Sequence, residues 1–390
     1  MTPPKINVPS ESEKREVWKS YGERRPVRVP LRWNVNARII LLDPRLNPEG
    51  WGFRDHCSDP AVTMAVQSRF QEYVAAVLSR TCDFSGELPA QWAFTVDNQN
   101  IYDSAYFGAE VFYEPGQTPA THQFLTLDDL DEFLKRDFSR PLENPWIRDR
   151  LEFHAQLTRA AESFTYLGRK GVVQPFNAFF DGPVTVATNL FGSEVFVLMA
   201  DDPDKARELF MTITRAALLR NRALAELAGG WKKADVGWIP DDSILLISAE
   251  MLEELVIPVH EFWLSETSNT TAEGGHRNMH LCGDATRLFP LLHRKLGIDG
   301  FDTGFPVDHG ALRAALGPDV EISGGPEVAL LKDGTPEQCH ERAAAILRSG
   351  IMDGGRFILQ EGNNLPPCVP LANLEAVYDA CQEFGRYNNS

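Results

Sequence analysis

The feature that most constrains this chain is an alternation. From about Ala90 onward, short apolar runs bounded by turn residues are separated by stretches with helical periodicity. That order marks parallel strands joined by crossover helices. The runs are Trp92–Val96, Gly171–Phe176, Ala234–Trp238, Asn278–Leu281, Gly300–Thr303, Val320–Ser323 and Phe357–Gln360. Helical patterns fall at Pro203–Leu227, Ala249–Leu264, Ala285–Leu296, Val307–Leu316, Pro336–Ser349 and Leu371–Phe384. Ser248 and Thr335 suit N-caps and Pro336 a first helical position. Seven strands in strict alternation predict an α/β fold, a (β/α)8 TIM barrel with one strand not visible in the pattern. A doubly wound open sheet is the alternative, but no glycine-rich phosphate fingerprint follows the first strand. Before residue 90 the chain reads as a polar leader, a Pro/Arg stretch from Arg24 to Arg32 and an amphipathic helix over Pro60–Ser79. The expected division is therefore an N-terminal extension, residues 1–89, covering a barrel of residues 90–390.

Composition removes several function classes. With 38 basic and 55 acidic residues the net charge is −17, and no dense Lys/Arg block interrupts it. Affinity for nucleic acid and for anionic membranes needs clustered cations, so neither partner is expected. No stretch approaches the ~18 consecutive apolar residues of a membrane span, and the leader lacks a secretory apolar run. A cytoplasmic protein is expected. Its six cysteines then read as free thiols or metal ligands rather than bridges.

In a barrel, chemistry sits in the loops beyond the carboxyl ends of the strands. Those positions carry Asp97 and Asn98, Asn177 and Asp181, Asp241 and Asp242, His280 and Cys282, Asp302, and Glu361, Asn363 and Asn364. The segment His280-Leu281-Cys282-Gly283 is the sharpest signal among them. Residues two apart in an extended chain point to one side, so imidazole and thiol can converge, and both are preferred zinc ligands. A third ligand is needed, and two candidates stand after the last strand: Glu361 at its end, and Cys368 if the loop folds back over the mouth. His276 is an outside candidate.

At this point the segment from Asp181 to the C-terminus resembles the uroporphyrinogen decarboxylase superfamily, in particular its corrinoid-dependent methyltransferase branch. The resemblance rests on Asp181-Gly182-Pro183-Val184-Thr185, Asp241-Asp242-Ser243, His280-Leu281-Cys282-Gly283, Gly324-Gly325-Pro326, Asp333-Gly334-Thr335-Pro336-Glu337 and Leu371-Ala372-Asn373-Leu374. It implies a (β/α)8 barrel, zinc held by His280 and Cys282, and methyl transfer to or from a corrinoid (cobalamin) carried on a separate protein. Two features depart from the superfamily. The arginine cluster by which its decarboxylases grip carboxylates has no counterpart, and the Gly-Cys pair of thiol-methylating members is replaced by Gly362-Asn363.

The expected activity is O-demethylation, or demethylation of an amine, with zinc accepting charge from the departing heteroatom. Asp242, Asn98 and Asn177 are the expected catalytic groups, and Asp97 and Asn364 are expected to orient substrate. Phe176, Phe179 and Trp238 are placed to stack on an aryl methyl ether, with Phe180 near them. Alternatives left open are a methyl-corrinoid:thiol methyltransferase, a uroporphyrinogen decarboxylase-like lyase and a non-catalytic binder. The reading also allows a homodimer.

Overall fold

The computed structural model describes residues 8–387. Seven strands form most of a barrel wall: β1 (Trp92–Phe94), β2 (Arg169–Val173), β3 (Val236–Pro240), β4 (His276–Leu281), β5 (Gly300–Thr303), β6 (Glu321–Gly324) and β7 (Phe357–Leu359). Strands β3 to β7 make one parallel ladder in which neighbours in space are neighbours in sequence, and β1 pairs in parallel with β2. The eighth wall segment lies at residues 30–32. Leu31 bridges in parallel to Leu359, the Arg32 amide donates to the Leu359 carbonyl at 3.1 Å, and the Leu359 amide donates to the Pro30 carbonyl at 2.9 Å. The protein is a (β/α)8 TIM barrel. Its first strand comes from within residues 8–89, where Val29, Leu31 and Trp33 are buried and alternate with Arg28, Pro30 and Arg32; the proline and arginines inside that run mark it as a loop unless the period-two alternation is given more weight.

The strand sequences explain the layers. In β4, Arg277, Met279 and Leu281 are buried against the helices, while His276, Asn278 and His280 are half-buried on the lumen side. β7 is apolar and buried throughout, as a parallel strand covered on both faces must be. Helices Pro203–Leu227 and Leu371–Phe384 run as the periodicity predicts. The stretch expected as one helix over Ala249–Leu264 is instead Ala249–Met251, a π-turn at Leu252–Val256, and Ile257–Thr267. Pro258 is the cause, because it lacks an amide and its ring crowds the carbonyl four residues back. That carbonyl, on Glu254, accepts from Arg207 at 3.3 Å instead.

Two seams interrupt the wall. The edge of β1 that faces the first strand is taken by side chains of the helix Pro60–Ala76. Gln67 accepts from the Thr95 amide and donates to its carbonyl at 2.9 Å each way; Gln71 does the same for Ala93, at 3.1 and 2.9 Å. Two glutamines four residues apart on a helix thus imitate the missing ladder. Between β2 and β3 there is no ladder either. Gly182 carries the chain past the end of β3 with φ +86°, and a Cβ there would stand 2.2 Å from the Pro240 carbonyl. Only glycine fits such an approach.

The rest of residues 8–89 covers the barrel and ties its two ends together. Arg28 and Asp83 form a buried ion pair at 2.6 Å, and the Tyr378 hydroxyl of the last helix donates to Asp83 at 2.7 Å. Among the described residues no single helix is long and apolar enough to cross a membrane, and all six cysteines are free.

Candidate active site

The C-terminal mouth of the barrel holds a cavity of about 900 Å3. Its chemistry centres on a register row in which Pro240, His280 and Asp302 lie side by side on β3, β4 and β5. Nδ1–H of His280 donates to Asp302 Oδ2 at 2.7 Å, and Nε2 lies 3.0 Å from Cys282 Sγ. Gly283 turns the chain at φ +74° just beyond. The Cys282 amide donates to Asp242 Oδ1 at 2.7 Å, which brings a third donor in from the loop after β3. Ligand atoms of Asp242, His280 and Cys282 all lie within 4.8 Å of one another.

The charges are set by the same contacts. Burial disfavours a charged His280, but its hydrogen bonds to Asp302 and Cys282 outweigh this and push its pKa up to about 11. Burial raises the Cys282 thiol against the opposing pull of His280. Asp302 is itself held: Oδ1 accepts from Gln360, whose Oε1 accepts from Arg32 Nε at 2.8 Å. The donor set of nitrogen, sulfur and carboxylate oxygen fits a zinc ion. Three protein ligands leave a fourth position for substrate, and the carboxylate behind the imidazole is the usual outer partner of a metal-bound histidine.

Asp242 is aimed by its neighbour. Asp241 is fully buried and accepts from the amides of Val184 and Thr185 at 3.3 and 2.8 Å, from the Thr185 hydroxyl at 2.8 Å, and from His260 Nε2 at 2.8 Å. A carboxylate from the β3 loop therefore caps the helix Pro183–Phe191 from outside that helix. With Asp241 anchored inward, the adjacent Asp242 faces the mouth.

On the far wall, Asp103 pairs with Arg220 at 2.8 Å, both fully buried. Asp103 also accepts from the Asp181 amide at 2.9 Å, and the Tyr102 hydroxyl donates to Asp181 Oδ1. Burial, then the charge of Asp103, push Asp181 up to about 7.

The structure distributes the other expected residues as follows. Glu361 is fully buried and its carboxylate accepts from the Asn34 amide at 2.9 and 3.2 Å, so it fastens the first strand to the last and is not part of the donor cluster. Burial raises its pKa well above the ordinary carboxylate range. Cys368 is exposed, with Sγ against the Leu42 carbonyl at 3.7 Å, because its loop runs over the N-terminal segment and does not fold back across the mouth. The carboxylate that lies beside His280 and Cys282 is that of Asp242, and neither Glu361 nor Cys368 joins that cluster. His276 pairs with Asp299 at 2.7 Å. Phe179, Trp238 and Asn364 line the mouth cavity, and Phe180 packs on Trp263 at its edge. Phe176 is buried beside Trp146 and lines neither the mouth nor the side cavity. Asp97, Asn98 and Asn177 line that side cavity, about 510 Å3, at the seam beside β1. Asp97 is held there by His56 Nε2 at 3.3 Å and by Gln99.

Sequence reasoning passed over Asp302 as a partner of His280, and Tyr102, Arg32 and Gln360 altogether. Asp302 carried a usable signal, since parallel strands of matched length set residues at equal depth side by side. Tyr102 and Arg32 carried none, for they lie in stretches without strand or helix periodicity.

The model of the uroporphyrinogen decarboxylase (URO-D) family matches residues 103–384. Among solved structures, a methyltransferase from Methanosarcina mazei superposes with a TM-score of 0.63 at 16% identity, covering 96% of this chain and 99% of that one. A B12-independent methionine synthase from Shewanella sp. W3-18-1, solved with selenomethionine, gives a TM-score of 0.37 at 12% identity, covering 71% and 74% of the two chains. No curated protein sequence matches this chain.

Proposed function

This chain belongs to the uroporphyrinogen decarboxylase family, and from that membership and the cluster at the barrel mouth we propose a zinc-dependent methyltransferase. It takes a methyl group from a small methylated substrate, a methyl ether (aryl methyl ethers included) or a methylamine, and passes it to a corrinoid on a partner protein, as the demethylase component of such a pair. The six unpaired cysteines favour a reducing, cytoplasmic setting.

The observation that carries this reading is the convergence of His280, Cys282 and Asp242 with Asp302 behind the imidazole. His280 through Nε2, Cys282 through Sγ and Asp242 through a carboxylate oxygen would hold the zinc, which when bound supplies stabilisation of charge on the departing heteroatom. The chain's own residues do the rest. Asp302 fixes the ring and tautomer of His280, and Gln360 and Arg32 fix Asp302 in turn. Trp238 and Phe179 offer apolar surface against which an aryl or alkyl body packs, and Asn364 offers an amide to orient it.

The decarboxylase alternative is disfavoured by charge. The cavity presents Asp181, Asp242 and Asp302 and one guanidinium, Arg32, a poor match for a substrate with many carboxylates. The test is zinc content followed by turnover with free cob(I)alamin and a panel of methyl ethers, methylamines and thiols. Zinc in the purified protein and methylcobalamin formed from an ether or amine are expected. Activity confined to thiols would move the assignment to the thiol methyltransferase, and protein that neither contains nor takes up zinc would favour a non-catalytic binder.

A further inference from the structure

Resting on the methyl-transfer reading, we propose that the substrate is a cation: its ammonium group docks on the exposed rings of Phe179 and Trp238 with Asp181, held by Tyr102, as counter-ion, away from the reacting group at His280 and Cys282. Two independent features point there. The first is uncovered aromatic surface. Phe179 and Trp238 are 62% and 46% exposed and line the cavity, and Phe179 leans at 6.0 Å and 59° on the buried ring of Tyr102. Exposed ring faces attract ammonium groups, methylated ones included.

The second is an uncompensated carboxylate. Asp103 has Arg220, whereas Asp181 receives only the Tyr102 hydroxyl and forms no ion pair among the described residues. Asp181 is half-buried on the cavity wall, so its carboxylate is reachable by a cation entering the cavity. The one guanidinium lining the cavity, Arg32, gives its Nε–H to Gln360, on the wall that carries Asp302. A neutral substrate would leave Asp181 with the Tyr102 hydroxyl alone and no counter-ion, and an anion beside it would be repelled.

The experiment is calorimetric titration of the full-length, metal-free chain with choline and with its carbon isostere, in which a tert-butyl group replaces trimethylammonium. Choline is expected to bind at least about tenfold more tightly than the isostere. Asp181→Asn should abolish that preference while leaving the isostere unchanged, and Phe179→Ala, at an exposed ring, should weaken choline without affecting folding. Equal affinity for the two probes, binding of neither at millimolar concentration, or a preference that survives Asp181→Asn overturns the proposal. Neither metal nor methyl acceptor enters the measurement. Failure of methyl transfer would therefore leave these affinities standing, and loss of charge preference would leave methyl transfer standing.

Discussion

His280 and Asp302 face each other across neighbouring parallel strands, with Nδ1 of one 2.7 Å from Oδ2 of the other. The carboxylate is in turn saturated by Gln360 on its other oxygen. Asp302→Asn keeps the shape and removes the charge, so the imidazole loses its orientation and part of its basicity. Zinc affinity is expected to fall about 10- to 100-fold, read by competition with a chromogenic chelator. An unchanged affinity would show that His280 is oriented by something else.

Cys282→Ala removes a donor outright. The side chain is half-buried at the strand tip, with only a light packing role, so the fold should persist while zinc and activity disappear together. Elemental analysis and circular dichroism on one sample decide it. Cys368→Ala, on the exposed loop, should change neither metal nor activity, whereas retained zinc in Cys282→Ala would remove sulfur from the ligand set.

Gln67 and Gln71 hold the open edge of β1. Replacing either by Leu leaves an amide and a carbonyl of the strand without partners in a partly buried place. Each substitution should cost about 1–3 kcal/mol in urea unfolding, with the larger loss at the more buried Gln67. A cost near zero for both would mean that water serves the edge equally well.

Asp181 gives a pH signature. Its folded pKa of about 7 lies above the ordinary 3.8, so the folded chain retains the proton longer than the unfolded one. Stability tied to the protonated carboxyl is complete below about 4, is lost as pH rises toward 7, and is level beyond. Asp181→Asn escapes that loss. It should match the parent near pH 4 and exceed it by on the order of 2 kcal/mol at pH 8, in thermal or urea melts at the two pH values. A gain of equal size at both would place the effect in packing rather than in ionisation.

Much of this architecture is local, and therefore legible before any coordinates. Pro203–Leu227 and Leu371–Phe384 become helices with those bounds because burial on one face repeats at a fixed interval along the chain, and Gly300–Thr303 becomes a strand with its bounds as a short run buried on both faces. The turning of His280 and Cys282 toward one point follows from the same arithmetic. Strand 30–32 escaped although Val29, Leu31 and Trp33 alternate with Arg28, Pro30 and Arg32, because a proline inside the run argues against a ladder strand. The helix over Ala249–Leu264 was broken by Pro258, whose effect on the backbone is equally local but was outweighed by the apolar pattern around it.

Which carboxylate joins the histidine and the thiol is another matter. Glu361 and Asp242 both stand at strand ends, and nothing in their neighbours along the chain separates them. The barrel does, since the Asn34 amide captures Glu361 while the helix capped by Asp241 turns Asp242 into the mouth. Residue spacing along a strand settles which way a side chain points; which distant side chain it meets depends on register and on which competing donors are within reach, and those exist only once the wall has closed.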